Sequence, residues 1–106
     1  FKQKIVEAAE GDTQIVLKQV VPVRLLKNQF FNQIDNLERN GASPRELKDF
    51  LGHGRARLGM FEGNANDGEL EIGQISAMID EIKPAGVIMK EMMSEFDEVR
   101  AELCRG

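Results

Sequence analysis

Pro22 divides the only stretch of this chain rich in β-branched residues, leaving residues 13–21 on one side and 23–27 on the other. Proline cannot donate to a ladder and belongs at a strand start or an edge, so the two runs predict two short strands paired antiparallel. Alternation would place Ile15 and Leu17 on one face of the first strand, and Val23 and Leu25 on one face of the second. Two strands alone are marginal in water, so the rest of the chain must cover them. The expected class is α+β, mostly helical, with about four to five helices around the strand pair. A length of 106 residues fits one domain with a modest core.

The helix signals are local and well spaced. Phe1, Ile5, Val6, Ala8 and Ala9 pattern residues 1–10 as an amphipathic helix end, with Gly11 as its stop. Asn28 reads as the N-cap of a helix over 29–39 that turns Phe30, Ile34 and Leu37 to one side before Asn40-Gly41 ends it. Ser43-Pro44-Arg45-Glu46 is a capping-box signature for a further helix, with Leu47, Phe50 and Leu51 inward and Gly52 as its stop. Residues 64–68 read as a polar turn, after which Glu69 and Glu71 suit the start of a return helix. Its buried stripe would be Ile72, Ile75, Met78, Ile79 and Ile82. Gly73 within it costs about 1 kcal/mol against alanine, which points to close approach by another backbone or a bound group. After Pro84, apolar residues Ile88, Met89, Met92, Phe96, Val99 and Leu103 step by threes and fours along a terminal helix. The expected segments are 1–28, holding a helix end and the strand pair, 29–63 as a helical cap, 64–83 as the return helix, and 84–106 as the C-terminal helix.

Composition removes several classes of function. A formal net charge of -4 with 30% charged residues argues against a phosphate-backbone binder, so no nucleic-acid partner is expected. Cys104 is the sole cysteine, which excludes an intrachain disulfide and a cysteine-based zinc cage, and no metal site is expected. No apolar run is long enough for a membrane span and the N-terminus lacks a signal-peptide layout, which suits a soluble cytoplasmic protein.

Tested as motifs, most of the polar clusters reduce to structure. His53 lies between two glycines without an orienting carboxylate or a nucleophile at motif spacing, so it reads as a loop residue. Gly52-His53-Gly54-Arg55-Ala56-Arg57 begins like a dinucleotide fingerprint, but Arg57 stands at the third glycine and the preceding segment reads as helix. Arg55 and Arg57 offer guanidinium groups to a phosphate, although solvated or salt-bridged arginines are the favoured reading. An EF-hand alignment on Gly68 puts Gly63, Ala65 and Gln74 where carboxylates are needed, and is rejected. Glu69 and Glu71, two apart on a helix, would not face each other as an acid–base pair. Gly73-Gln74 leaves two readings open: a helix facing a pocket, with an amide that donates and accepts, or a packing glycine beside a surface glutamine. Methionines 60, 89, 92 and 93 and Phe61 are more often core than cofactor contacts. A cap detached from a larger body would expose some of them, as a dimer interface or an apolar patch.

Three blocks carry a resemblance: Pro22-Val23-Arg24-Leu25-Leu26-Lys27-Asn28, residues 54–63 (GRARLGMFEG), and Gly68-Glu69-Leu70-Glu71-Ile72-Gly73-Gln74. In this order they resemble the C-terminal region of the FMN-dependent family that includes nitronate monooxygenase (2-nitropropane dioxygenase) and flavin-type enoyl-acyl-carrier-protein reductase, over residues 1–84. The resemblance implies the C-terminal cap portion of a TIM-barrel flavoenzyme without the barrel, which takes roughly 250 residues. It places the FMN site and the catalytic residues upstream of this chain, with NADH or NADPH as candidate reductant and a small-molecule or acyl-carrier-linked substrate. It assigns this chain no catalytic residue, and makes Met60, Phe61, Gly73 and Gln74 the substrate-pocket candidates. The start at Phe1 without a methionine suits a segment of a longer protein. The alternative reading is a stand-alone helical interaction or dimerisation module that uses residues 85–103, with a homodimer as its expected partner state.

Overall fold

The structure, a computed structural model, describes residues 1–105. In chain order it contains α1 (Lys2–Glu7), β1 (Thr13–Val16), β2 (Val23–Leu26), α2 (Gln29–Arg39), α3 (Pro44–Leu51), α4 (Arg55–Met60), a 3-10 turn (Gln74–Met78) and α5 (Ala85–Arg105). The expected class is observed: five α-helices around a two-stranded antiparallel sheet, with Thr13 opposite Leu26 and Val16 opposite Val23.

The ribbon is buried from both sides. Leu25 belongs to a core of Val16, Leu17, Phe30, Phe31, Ile34 and Leu47, while its neighbour Leu26 joins Ala8, Leu70 and Ile72 on the opposite face. This follows from the pleat, which sends successive side chains to opposite faces. One expected pairing fails: Val16 and Leu17 are both buried, and Ile15 is exposed instead of sharing a face with Leu17. The cause is a left-handed residue, Leu17 with φ of 57°, which ends the strand and turns the next side chain back into the core. The Glu38 carboxylate holds that turn by accepting from the Leu17 N–H at 2.6 Å.

The local caps form as their sequence dictates. The Asn28 side chain accepts from the Phe31 N–H, and Ser43 and Glu46 make the reciprocal bonds of a capping box, with Pro44 at the helix start. Gly52 closes α3 with φ of 63°, a conformation that favours glycine. At the N-terminus, α1 is shorter than expected and stops at Glu7, with Ala8 already extended.

The return helix over 69–82 is not present. Residues 69–72 run extended beside β2, where Leu26 N–H donates to the Leu70 carbonyl at 2.9 Å and Leu25 forms an antiparallel bridge with Glu71. Only the short 3-10 turn follows, and of the expected stripe Ile72 alone is buried, whereas Ile75, Met78, Ile79 and Ile82 are exposed. Open backbone positions on β2 have taken up a stretch whose Glu-Leu-Glu-Ile alternation suits a strand as well as its isoleucines suit a helix.

Helix α5 forms as expected, yet none of its residues is buried. It extends from the body and gives the chain principal dimensions of 56 × 31 × 22 Å. The radius of gyration is 17.8 Å, against about 13 Å for a compact domain of this length.

Candidate functional site

The rigid part of the candidate site is assembled around two side chains that sequence reasoning valued differently. Asn28, read only as a cap, also donates from Nδ2 to the carbonyls of Ala65 at 2.9 Å and Gly68 at 2.8 Å. It thereby ties the start of α2 to a turn about 40 residues further on. Arg55 donates to the carbonyls of Leu51, Asp67 and Phe50, at 3.1, 2.9 and 3.2 Å. Its guanidinium lies 4.9 Å from the Phe30 ring centre and 5.4 Å from that of Phe50, and those two rings are stacked. Such planar, multiply bonded use suits arginine and not lysine.

Between these anchors the polar turn closes tightly. Asn64 Oδ1 accepts from the N–H groups of Asn66 and Asp67, and Gly68 N–H donates to the Asn64 carbonyl. Gly68 lies directly against Gly59 of α4: a Cβ at 68 would collide with the Gly59 Cα and N, and one at 59 would come within 2.8 Å of the Glu69 carbonyl oxygen. The close approach expected at Gly73 is therefore made by this pair, since a Cβ on Gly73 would meet nothing within 4 Å.

Extended backbone after Gly68 also changes the reading of the two acids. In a strand, residues two apart share a face, so Glu69 and Glu71 lie together as they would not on a helix. Glu69 is 8% exposed. Burial, and then the Glu71 charge and a hydrogen bond with it, push the Glu69 carboxyl up from 4.5 to about 7. The period-two run Glu-Leu-Glu-Ile was the signal for this pair.

Met60 and Phe61 stand at the end of α4, where they line an open cleft of about 560 Å³ with Phe1, Lys2 and Gln3. Phe61 is 83% exposed. Gly73 and Gln74 are also exposed, at the start of the 3-10 turn that packs on α1. Of the four candidates, only Met60 and Phe61 line this cleft. A second groove of about 260 Å³ runs between α1 and the base of α5, lined by Ile5, Val6, Ile79, Ile82 and Ile88 among others. His53 is exposed near Arg57 and Glu62, which are paired at 3.4 Å.

The donors of Arg55 are committed to backbone carbonyls and Arg57 pairs with Glu62. The loop before α4 leads into a helix of only six residues. No group of three or more candidate metal ligands occurs among the described residues. Nor is any helix among them long and apolar enough to cross a membrane.

Fold and site together define a partial α+β unit, a helical cap on a two-stranded ribbon with no barrel of its own. No family model and no curated protein sequence matches the chain. Among solved structures, it superposes on FabK from Thermotoga maritima with a TM-score of 0.80 and 32% sequence identity, covering 95% of this chain and 32% of that one. A mutant form of the same protein matches with a TM-score of 0.70 and 29% identity, covering 95% of this chain and 28% of the other. The chain therefore corresponds to one region of FabK, a flavin-type enoyl-acyl-carrier-protein reductase of the nitronate monooxygenase family, and spans about a third of its length.

Proposed function

We propose that this chain is the cap and part of the substrate channel of an FMN-dependent, FabK-like oxidoreductase, and that it does not catalyse alone. The observation that carries the reading is the match over 95% of the chain at 32% identity to a protein three times as long. In the parent, FMN and the groups that act on it belong to a TIM barrel supplied by other residues. Bound FMN supplies electron or hydride transfer, with NADH or NADPH as reductant, and the protein supplies position and exclusion of water. The substrate class is an enoyl chain carried on an acyl-carrier protein, and the setting is the cytoplasm.

Within this scheme the residues present hold and orient substrate. Exposed Phe61 and adjacent Met60 offer an apolar lip to an acyl chain. Gln74 offers a donor and an acceptor beside Gly73, whose open surroundings leave room for a ligand. The decisive experiment is expression of the longer parent, followed by its visible spectrum and NAD(P)H oxidation with enoyl substrates. Flavin bands, turnover, and a fall in kcat/KM of about tenfold for Phe61→Ala, a loss of roughly 1.4 kcal/mol, are expected. A colourless parent, or a Phe61→Ala variant with unchanged kcat/KM, would refute the reading.

A further inference from the structure

We propose that the groove between α1 and the base of α5 binds a medium-length aliphatic carboxylate, with its alkyl chain along the groove and its head on Lys2. This goes beyond the cap reading and does not depend on it. The groove, of about 260 Å³, has walls of one chemical kind. Ile5 and Val6 come from α1, Ile79 and Ile82 from the segment after the 3-10 turn, and Ile88 from the first turn of α5. The last three are between 42% and 51% exposed, so the aliphatic surface they share is open to a ligand.

Charge and shape select the occupant. The charged residues that line the groove are Lys2, Glu81 and Lys83. Lys83 is already paired, with Glu81 at 3.2 Å and with Glu91 at 2.9 Å. Lys2 is exposed and pairs with no carboxylate among the described residues, which leaves one ammonium uncommitted at the groove. It precedes Ile5 and Val6 by three and four positions, so the three share a face of α1 and the ammonium stands one turn beyond the aliphatic wall. An apolar trough with a single cation at one end matches an alkyl chain with a single negative charge. No aromatic ring lines the groove to stack on a flat ligand, and no arginine to grip a phosphate in two places. A partner helix, about 10–12 Å across, is too thick for this volume. An extended peptide would meet aliphatic side chains where its backbone groups need hydrogen bonds, whereas a methylene asks only for removal from water. The groove includes none of Met60, Phe61, Gly73 and Gln74, although Lys2 also borders the cleft of Met60 and Phe61.

Isothermal titration calorimetry of the full chain with hexanoate, octanoate and decanoate at neutral pH tests the site, with circular dichroism to verify that each variant keeps its fold. Decanoate is expected to bind with a Kd on the order of 0.1 mM, and affinity to rise about fourfold for each methylene that the groove covers. The chain carries a formal net charge of -4, so indiscriminate uptake on apolar surface would favour decylammonium, whereas the groove should prefer decanoate. Lys2→Glu should weaken decanoate about tenfold and reverse that preference. Ala85→Phe, at an exposed position on the groove wall, should fill the groove and abolish binding. Phe96→Gln, on α5 outside the groove, should leave binding unchanged. Preference of the wild type for decylammonium, a Lys2→Glu variant that holds decanoate as tightly as before, or undiminished binding by Ala85→Phe would each overturn the proposal.

Discussion

Gly68→Ala is expected to be among the most damaging single-methyl changes available to this chain. A Cβ at 68 would overlap the Gly59 backbone and lie 2.5 Å from the Asn64 carbonyl oxygen, so no side-chain rotation relieves it. Relief requires the turn to lift away from α4. Lifting stretches three bonds: Gly68 N–H to the Asn64 carbonyl at 3.1 Å, Glu69 N–H to the Arg55 carbonyl at 2.9 Å, and Asn28 Nδ2 to the Gly68 carbonyl at 2.8 Å. At about 1 kcal/mol net for each bond, their loss comes to about 3 kcal/mol, the upper end of ordinary overpacking costs. For a domain of this size that lowers Tm by about 12–20 °C, a large share of a total stability of about 5–15 kcal/mol. Gly73→Ala is the internal control. With φ of -81° and nothing within 4 Å of its Cβ, it should be neutral or stabilise by about 0.5 kcal/mol. Thermal melts followed by circular dichroism decide the matter: a Gly68→Ala variant within about 3 °C of wild type would refute the backbone-contact argument.

Three further outcomes are expected from urea unfolding. Because the folded-state pKa of Glu69 is raised from 4.5 to about 7, the folded chain holds the extra proton between those values. Stability therefore falls as pH rises through that window, by roughly 3 kcal/mol, and Glu69→Gln should flatten the dependence and be the more stable form at pH about 8. Parallel profiles for the two proteins would exclude a buried neutral Glu69. Arg55→Lys should cost about 2–3 kcal/mol, because an ammonium cannot reach three carbonyls and stack on Phe30 and Phe50 together, and a change below about 0.5 kcal/mol would contradict that role. Asn28→Asp keeps the cap on Phe31 but faces the carbonyls of Ala65 and Gly68 with no donor, so it should lose about 2–4 kcal/mol. Asn28→Asp matching wild type would mean that the long-range bonds contribute nothing.

What could be read from the sequence was what its neighbours decide. The cap at Asn28, the capping box at Ser43 and Glu46, and the stop at Gly52 each satisfy backbone groups within a few residues, and each formed as expected. Residues 69–72 were misread because their hydrogen-bond partner is β2, some 45 positions earlier, and no local pattern reveals that pairing. The same blindness moved the close approach from Gly68 to Gly73, since tightness against Gly59 is a tertiary fact. Leu17 was misassigned for a different reason: nothing in its side chain signals a left-handed backbone, and the Glu38 bond that holds it comes from α2. For the candidate site, Met60 and Phe61 stand at the end of α4 and line an open cleft, and Phe61 is exposed where its apolar character alone favoured the core. Gly73 and Gln74 do not line that cleft, and stand at the start of a 3-10 turn where a helix was expected.

Strand β2 also governs how this small body comes apart. It is bonded to β1 along one edge and to Leu70 and Glu71 along the other, and its adjacent Leu25 and Leu26 reach into separate clusters on opposite faces. Neither cluster can loosen without pulling on a strand the other needs, so the two melt as one cooperative unit. Amide hydrogen exchange should find its slowest protons at Leu25 and Leu26, opening only with the whole fold.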